Sequence, residues 1–479
     1  MIVQDRLYIG GELVAPAGTG TIDVINPFTE EVAGRVPEAT NTDIDAAVAA
    51  ARHTFDHTDW SQRSVAERCA ILAKASGLIQ ARMDELTQLI STEMGSPSGW
   101  GMFGQVLAPS MILDFYASLA ETYATEETRA GMFGPVVVRK EAIGVVGAII
   151  PWNVPLFEAA MKLGPAVVAG CTVVLKPAPE TPLDAYVFAE IMEEAGLPKG
   201  VFSVVPAGRE VGEYLVTHPL VDKVTFTGST AAGMKIGAAC GALLRPVTLE
   251  LGGKSAAIIL DDADVAAVVP QLMDAGLMNN GQACVAQTRI LASREKYAEV
   301  LDAVTEAVAA QVVGDPLDPT TTVGPLVAQR QRERVLGLIE AGRNEGARVT
   351  TGGGRTSHEK GWFVEPTVFG DVDNKMTIAQ EEIFGPVLSV IPYADVADAV
   401  RIANDSPYGL SGSVWGGTEQ ATEIAKQVRT GTITVNHFGM AFGAPFGGYK
   451  NSGLGRELGP EGVDAFMEKK ALSLDPAAG

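Results

Sequence analysis

The chain carries a strand–helix–strand unit at residues 171–205, which reads CTVVLKPAPETPLDAYVFAEIMEEAGLPKGVFSVV. Its first strand is apolar and ends in Lys176, and a helix that starts at a Thr-Pro pair leads to the second strand. Helix 209–217 and strand 223–227 repeat the pattern, and the apolar strand 144–150 precedes it. Alternating units of this length predict a parallel sheet with helices on its faces, and therefore an α/β fold.

The length and composition limit the class of protein. A chain of 479 residues predicts two or three domains, because single cores rarely grow that large. The net charge of −22 repels nucleic-acid phosphates and anionic membranes. The four cysteines, at 69, 171, 240 and 284, have no spacing typical of metal sites or of a disulfide framework. We therefore predict a cytoplasmic protein with no metal site, no nucleic-acid partner and no membrane partner.

Two stretches bear on membrane targeting. The N-terminal residues lack the basic and then apolar segments of a signal peptide. Residues 94–113 carry no charged side chain over roughly the length that spans a bilayer, but Ser, Gly, Gln and Pro interrupt the run. We interpret this stretch as a buried helix with a broken start.

Other local patterns predict the scaffold. Residues 5–15 are typical of a hairpin around a Gly-Gly pair, and residues 41–58 and 61–92 are predicted to be helical. Ser64 and Glu67 have the spacing of a capping box. Further helices are predicted at 296–313, 328–346, 394–405 and 417–428, and a terminal strand at 466–474.

Glu250 and Cys284 are the candidate catalytic pair. Glu250 opens the sequence Glu-Leu-Gly-Gly-Lys-Ser, and Cys284 follows Asn-Gly-Gln-Ala 34 residues later. A lone cysteine is usually a small buried hydrophobe, and a lone glutamate before a turn is usually solvated. Together the two side chains have the chemistry of a nucleophile and its general base. Asn153, in a turn after an apolar strand, carries an amide that donates either to an oxyanion or to turn backbone groups.

A glycine-rich turn at Gly228–Gly233 lies between strand 223–227 and a helix. Free N–H groups and the dipole at such a helix start can accept a phosphate. The turn lacks the usual GxGxxG fingerprint, so alone it is a weak signal. Lys176, at the end of a neighbouring strand, strengthens the interpretation as a nucleotide site.

In their shared order these motifs resemble the aldehyde dehydrogenase superfamily, over about residues 20–470. The matching signatures are PWNVP at 151–155, ELGGK at 250–254, GQAC at 281–284, EEIFGP at 381–386 and PFGGYKNSGLGRE at 445–457. The resemblance implies NAD(P)-dependent oxidation of an aldehyde to a carboxylic acid. It makes Cys284 the nucleophile, Asn153 an oxyanion donor beside the Cys284 amide, and Glu250 the base that hydrolyses the thioester.

Two other functions stay open as alternatives. CoA-acylating relatives generally lack a glutamate at the position of Glu250 and pass the acyl group to CoA. A non-catalytic relative that serves as a binding or structural protein would have lost the Cys, Asn or Glu, and none of the three is lost here.

The resemblance also implies a cofactor site with a set of contact residues. They are Ile149, Pro151, Trp152, Lys176, Pro179, Glu180, Gly208, Phe226, Gly228, Ser229, Gly233, Leu251, Glu382 and Phe384. Relatives that prefer NAD often carry a glutamate three residues after the lysine, where this chain has Pro179 followed by Glu180. NAD is the predicted cofactor, and NADP remains the alternative.

The implied substrate pocket is mostly apolar. Its residues are Val154, Phe157, Glu158, Met161, Val285, Met440 and Phe442, although some of the apolar ones are equally consistent with core positions. The set has no arginine to hold a second carboxylate, which favours an apolar aliphatic, terpenoid or aromatic aldehyde over a dicarboxylate semialdehyde. Glu158 instead favours a cationic aminoaldehyde as the substrate, because its carboxylate could bind the cation.

The resemblance divides the chain into domains. Residues 1–122 and 143–251 are expected to form a Rossmann-type dinucleotide-binding domain, and residues 252–445 an α/β catalytic domain. Segments 123–142 and 460–479 are expected to form a small β oligomerisation arm. The expected assembly is a homodimer or a homotetramer.

Overall fold

The computed structural model describes residues 1–475. The strands are β1 (Ile2–Val3), β2 (Leu7–Ile9), β3 (Glu12–Val14), β4 (Thr21–Ile25), β5 (Val32–Pro37), β6 (Glu126–Gly131), β7 (Gly134–Ala142), β8 (Val145–Ile149), β9 (Thr172–Lys176), β10 (Phe202–Val204), β11 (Lys223–Thr227), β12 (Val247–Glu250), β13 (Ala256–Ile259), β14 (Arg289–Ser293), β15 (Arg348–Thr351), β16 (Thr367–Gly370), β17 (Val387–Tyr393), β18 (Gly412–Trp415), β19 (Thr434–Val435), β20 (Gly453–Leu454) and β21 (Met467–Ser473).

The helices alternate with these strands through most of the chain. They are α1 (Asn41–His57), α2 (Val65–Ala81), α3 (Met83–Met94), α4 (Ser98–Gly101), α5 (Ala108–Ser118), α6 (Pro155–Ala169), α7 (Leu183–Ala195), α8 (Arg209–Thr217), α9 (Thr230–Ala242), α10 (Val265–Leu277), α11 (Tyr297–Ala309), α12 (Gln329–Asn344), α13 (Thr377–Gln380), α14 (Val396–Asn404), α15 (Thr418–Ala425) and α16 (Gly459–Asp464).

Within the described residues, an eight-stranded sheet has the order β20-β12-β11-β8-β9-β10-β2-β3. Its five central strands, β12 to β10 in that order, are parallel, as the repeated strand–helix–strand pattern predicts. The hairpin predicted at 5–15 is confirmed, with Leu7 opposite Val14, and it closes one edge of the sheet. The strands β8, β9 and β11 are buried along their whole length, as is typical of a parallel sheet with helices on both faces.

A second sheet in the described chain has seven strands in the order β15-β16-β17-β14-β13-β18-β19. All neighbouring pairs in it are parallel except β15 and β16 at one edge. Residues 251–255 connect the last residue of β12 in the first sheet to the start of β13 in the second. The signature that begins at Glu250 therefore lies where the chain passes from one sheet to the other.

Two smaller sheets complete the described part of the chain. One is β1-β5-β4, and the other is β21-β7-β6, in which β21 runs antiparallel to β7 over its full length. The turn between β6 and β7 exposes Met132 and Phe133. The division into domains stays a prediction, and residues 476–479 of the expected arm lie outside the described residues.

Two predicted helices differ in detail from those observed. The stretch 61–92 is two helices, α2 and α3, because Arg82 leaves helical dihedral angles (φ −105°, ψ 23°). The capping box at the start of α2 is confirmed, since the Glu67 N–H donates to Ser64 Oγ and the Ser64 N–H donates to Glu67 Oε2. The buried helix predicted at 94–113 starts at Ser98, runs to Ser118 and contains a π-helical stretch at Met102–Leu107.

None of the helices in residues 1–475 is long and apolar enough to cross a bilayer. The same residues contain no cluster of His, Cys, Asp and Glu side chains able to hold a metal ion.

Candidate active site

Cys284 lies in the loop between a short 3₁₀ helix, Met278–Gly281, and β14. The four cysteines all fall in the described chain, and Cys284 is the one that is not buried. The loop is held by two asparagines with left-handed backbones, Asn279 (φ 53°) and Asn280 (φ 63°). Asn280 Nδ2 donates to the carbonyl oxygens of Gly95 and Pro325, at 2.8 and 2.9 Å. These bonds fix the backbone that presents the sulfur.

Two glycines allow the backbone to approach the cysteine loop closely. A Cβ atom on Gly253 would lie 2.3 Å from the carbonyl oxygen of Cys284, closer than real Cβ contacts come. A Cβ atom on Gly281, whose φ is +71°, would lie 2.2 Å from the carbonyl oxygen of Gly385. Gly253 is therefore needed where the segment after Glu250 meets the cysteine loop, and Gly281 where that loop meets Gly385.

Asn153 follows β8 in the loop before α6 and is buried beside the cysteine loop. Its Nδ2 donates to the carbonyl oxygen of Gln282 at 3.0 Å, two residues before Cys284. Two amides hold its backbone: Gln105 Nε2 and Asn279 Nδ2 each donate to the Asn153 carbonyl at 2.8 Å. Because an amide NH₂ has two donors, one N–H of Asn153 remains for an oxygen bound next to the sulfur.

Glu250 is the last residue of β12 and is 2% exposed. Neither of its carboxylate oxygens has a hydrogen-bond partner among the described residues. Burial raises the pKa of Glu250 well above its usual value, and the charge of Glu457 raises it further, while Lys162 opposes the shift. At a given pH, Glu250 is therefore protonated to a greater extent than an exposed glutamate, because its carboxylate is buried away from bulk water.

A buried cluster of charged and hydroxyl groups lies behind Glu250. Lys162, from α6, donates to Glu457 Oε1 at 2.9 Å and to Thr227 Oγ1 at 2.7 Å. Thr227 in turn donates to Glu158 Oε2 at 2.7 Å, and Lys162 Nζ is 3.4 Å from that oxygen. Burial lowers the pKa of Lys162, but Glu457 and Glu158 raise it more, so the net shift is upward. Lys162 is thus a buried cation held in place by its carboxylate neighbours.

The thiol of Cys284 has an unusual electrostatic environment. Its burial among protein atoms raises the pKa of the thiol well above the usual range, and the carboxylates of Glu158, Glu382 and Glu250 add to the shift in that order. The raised pKa favours the protonated form of the thiol in the resting site.

The glycine-rich turn lies at the start of α9, at the carboxyl end of β11. Ser229 caps the helix by accepting from the N–H of Ala232 at 3.3 Å. A Cβ atom on Gly228 would lie 2.5 Å from the Phe226 ring, and one on Gly233 would lie 2.4 Å from Leu251. Glycine at these two positions thus leaves no side chain where a phosphate would approach the helix N-terminus.

Lys176 ends β9, and Gly208 precedes α8. Lys176 Nζ donates to the carbonyl oxygens of Pro177 and Ala207, at 2.9 and 2.8 Å, and burial lowers the pKa of its ammonium to about 8. Pro179 is half-buried on the same strand end.

Glu180, the residue next to Pro179, is also half-buried. It pairs with the exposed Arg330. Its carboxylate therefore already has a cationic partner within the chain.

Three further predicted cofactor residues meet at the sheet junction. The Trp152 and Phe384 rings pack edge to face, with centroids 5.4 Å apart. Glu382 Oε1 accepts from the N–H of Gly253 at 2.8 Å, and burial raises the pKa of Glu382 to about 7. Pro151 and Ile149 lie just before this point, at the end of β8.

These groups fit a bound dinucleotide in chemistry and position. A helix N-terminus with a glycine turn suits a pyrophosphate, and Lys176 and Glu382 offer hydrogen-bonding groups for the two riboses. The glycine turn and Lys176 lie at the carboxyl ends of the parallel strands β11 and β9, where α/β sheets bind ligands. Glu382 lies in the loop before β17 and is joined to residue 253 by its hydrogen bond.

The predicted substrate residues fall into two groups. Val285, Met440 and Phe442 are partly buried and pack against the same core cluster as Cys284, and Val154 is also partly buried. The rings of Phe157 and Phe442 have centroids 6.3 Å apart.

The second group is buried. Met161 is a core residue, and the Glu158 carboxylate is bound by Thr227 and Lys162. Because Lys162 already balances the charge of Glu158, the structure argues against the cationic aminoaldehyde that Glu158 led us to expect.

Sequence reasoning missed Lys162, Glu457 and Gln105, which surround the three candidate catalytic residues. A signal was available for Lys162, since it is the only basic residue in helix α6 and lies one turn after Glu158, the only acidic one. Glu457 belongs to the signature at 445–457, for which no role was predicted. Ser452 in the same signature accepts from the N–H of Gly409 and donates to the carbonyl oxygen of Gly252 at 2.7 Å.

Comparison with known proteins decides the family. A model of the aldehyde dehydrogenase family matches residues 14–472. The chain belongs to this family. It is an oxidoreductase that oxidises aldehydes to carboxylic acids, and the predicted family, fold class and enzyme type are confirmed.

Individual relatives of this aldehyde dehydrogenase are similar over their full length. It is 48% identical over 475 residues to geranial dehydrogenase of Castellaniella defragrans, covering 99% of each chain. A crystal structure of a Mycobacterium tuberculosis aldehyde dehydrogenase with NAD⁺ matches with a TM-score of 0.97 at 50% identity, covering 99% of this chain and 98% of that one. A second structure is that of a mutant of aldehyde dehydrogenase C from Pseudomonas syringae, solved with NAD⁺ and octanal. It matches with a TM-score of 0.95 at 41% identity, covering 98% of this chain and 96% of that one.

Proposed function

We propose that this aldehyde dehydrogenase oxidises a neutral, apolar aldehyde with NAD⁺, using Cys284 as the nucleophile and Glu250 as the hydrolytic base. The observation that carries the proposal is the position of Cys284. This partly exposed residue lies in a loop that is bonded to Asn153 and packed against the segment that follows Glu250. No other cysteine of the described chain escapes burial.

In the first half of the reaction, the Cys284 thiol loses its proton to water, and the thiolate adds to the aldehyde carbonyl. The carbonyl oxygen gains negative charge, and the free N–H of Asn153 and the backbone N–H of Cys284 donate to it. Oriented donors of this kind stabilise an oxyanion by about 3–4 kcal/mol each. Bound NAD⁺ supplies the hydride acceptor, after which the acyl group remains on the sulfur as a thioester.

In the second half, Glu250 takes a proton from water, and the resulting hydroxide attacks the thioester. Its raised pKa brings the carboxylate closer to the pH at which a general base works best. A CoA-acylating enzyme needs no base at this position. The buried, unpartnered carboxylate of Glu250 therefore favours hydrolysis over transfer to CoA.

Two observations support NAD⁺ and an apolar substrate. Both solved relatives described above hold NAD⁺. The relatives' substrates, geranial by name and octanal in the complex, are neutral and apolar. The ring pair of Phe157 and Phe442 offers the same kind of surface here.

We also propose that the protein is a cytoplasmic homo-oligomer. Four free thiols are typical of a reducing compartment. The sheet of β6, β7 and β21 exposes Met132 and Phe133 at its tip, which a second copy of the chain would cover. Light scattering after gel filtration would test this, with the Phe133→Asp variant expected to shift the mass toward the monomer.

The central experiment is an NADH absorbance assay on the Cys284→Ala variant, with Cys69→Ala as the matched control. Cys69 is buried in the scaffold helix α2, so that variant should keep its turnover. Cys284→Ala should lose NADH production entirely and still quench its protein fluorescence on binding NAD⁺. Retained turnover would refute the assignment. A panel of hexanal, benzaldehyde and succinate semialdehyde with both cofactors tests the substrate class, and a higher kcat/KM on the semialdehyde would contradict it.

A further inference from the structure

The signature at 445–457 packs directly against the strand that ends in Glu250. Its short strand β20 pairs antiparallel with β12, so that Gly453 lies opposite Glu250. The N–H of Leu251 donates to the carbonyl oxygen of Ser452 at 2.9 Å. The signature therefore fixes the backbone of the candidate base near the edge of the eight-stranded sheet.

Gly447 is the residue of this signature that approaches the Glu250 carboxylate. A Cβ atom on Gly447 would lie 2.6 Å from Glu250 Oε1, closer than real Cβ contacts come. The φ of +147° at Gly447 also favours glycine. The carboxylate of Glu250 therefore occupies the space that a side chain at position 447 would need.

Neighbouring segments hold the backbone of Gly447 in this place. A Cβ atom on Gly431 would lie 1.5 Å from the carbonyl oxygen of Gly447, so the two backbones are in close contact. The preceding residue, Phe446, exchanges two backbone hydrogen bonds of 2.7 Å with Glu457. The wall that Gly447 presents to the carboxylate is thus built from fixed backbone.

Arg456 connects the two ends of the turn that follows Gly447. Its Nη1 donates to the carbonyl oxygens of Gly448 and Gly455. The Cδ atom of Arg456 would lie 3.0 Å from a Cβ atom on Gly447. The guanidinium therefore braces the turn beside the carboxylate.

The position of the Glu250 carboxylate also determines which charges act on it. Burial is the largest cause of its raised pKa, and the charges of Glu457 and Glu158 add to the rise. Lys162 and Arg456 oppose it. A displaced carboxylate would leave these surroundings, so both its distance from the thioester and its pKa would change.

We propose that Gly447 is a positioning residue for thioester hydrolysis, because it leaves its side-chain space to the carboxylate of Glu250. The inference rests on the proposed function, since it takes Glu250 to be the base. The three atoms nearest to a Cβ atom at position 447 belong to Glu250, Gly455 and Arg456. A substitution there should therefore disturb hydrolysis and leave hydride transfer intact.

The experiment follows both halves of the reaction in Gly447→Ala with hexanal and NAD⁺. Rapid mixing measures NADH formed in the first turnover, and intact-protein mass spectrometry measures the acyl group that remains on the chain. The first turnover should keep its wild-type rate and amplitude, and the acylated chain should accumulate. The carboxylate must move by about 0.8 Å to reach the ordinary contact distance of 3.4 Å. Because a displacement of about 1 Å costs on the order of 100-fold in rate, the steady rate should fall by about that factor.

A defect in the cysteine loop would give a different result in the same measurement. It would slow the first turnover and leave no acyl group on the chain, and this outcome would overturn the proposal. A steady rate equal to that of the wild type would overturn it as well.

Glu250→Gln separates this inference from the proposed function. Alone, that variant should accumulate the acylated chain, and its failure to do so would refute Glu250 as the base. If it does accumulate, the addition of Gly447→Ala should not lower the steady rate further, because both changes act on the same carboxylate. A further fall as large as the one in Gly447→Ala alone would overturn the inference.

Gly346→Ala is the matched control for backbone strain. The φ of this exposed glycine is +95°, and a Cβ atom there meets no atom of residues 1–475 within 4 Å. This variant should keep the wild-type steady rate and accumulate no acylated chain.

Arg456→Met keeps the inference testable if Gly447→Ala does not fold. It removes the bonds that brace the turn and adds no atom beside Glu250. It should lower the steady rate and leave the first turnover unchanged. Because it also removes a cation that lowers the pKa of Glu250, hydrolysis should reach half its maximum at a higher pH. In that case, a wild-type steady rate and pH profile in Arg456→Met would overturn the proposal.

Discussion

The substitution Gly253→Ala should reduce activity while leaving the chemical groups of the site unchanged. The added Cβ atom would lie 2.3 Å from the carbonyl oxygen of Cys284, whereas ordinary contacts begin at 3.4 Å. Because this oxygen belongs to the backbone and cannot rotate away as a side chain could, either the cysteine loop or residue 253 must move by about 1 Å. A displacement of that size costs on the order of 100-fold in rate, or about 2.7 kcal/mol of transition-state stabilisation. We expect kcat/KM to fall by that factor.

The assay is NADH formation with hexanal, together with NAD⁺ binding and a melting temperature to show that the variant is folded. Gly337→Ala is the matched control, because that glycine is exposed in helix α12 and a Cβ atom there meets nothing within 4 Å. The control should keep full activity and gain up to about 1 kcal/mol of stability from its helix propensity. A Gly253→Ala variant with wild-type kcat/KM would refute the claim that the two segments need this close approach.

Three further predictions concern the buried charges. Glu250→Gln should produce one burst of NADH and then little steady turnover, and a normal steady rate would contradict its role as base. The pKa of Glu250 is raised above its usual value of 4.5, so the hydrolysis rate of the wild-type enzyme should increase as the pH rises through that raised pKa. Glu250→Gln should lose this pH dependence. A variant with the same pH profile as the wild type would oppose the assignment. Lys162→Met leaves Glu158 and Glu457 without their cation, which should cost about 3–5 kcal/mol near neutral pH. Because burial raises the pKa of Glu158, the loss should shrink in acid as Glu158 becomes protonated. A thermal-inactivation half-life equal to that of wild type at both neutral and acid pH would refute it.

Several features could be predicted because they are local in sequence. The parallel sheet followed from continuous apolar runs, the hairpin from a Gly-Gly pair and the α2 capping box from Ser64 and Glu67. The order of the catalytic signatures was enough to predict the family and the reaction. The break between α2 and α3 at Arg82 was missed, since the helical pattern runs through it without a glycine or proline.

The sequence by itself determined the set of reacting groups and their order along the chain. It could do so because the strands and glycine turns that carry these groups are encoded in neighbouring residues. What only the tertiary structure decided was the partner of each buried charge. Lys162 and Glu457 are 295 residues apart, and their contact requires that helix α6 and the C-terminal signature pack together. The same packing buries Glu158, which pairs with Lys162 one turn further along α6 and was expected to bind substrate. Burial raises the pKa of Glu250, and the charge of Glu457, brought there by the packing, raises it further.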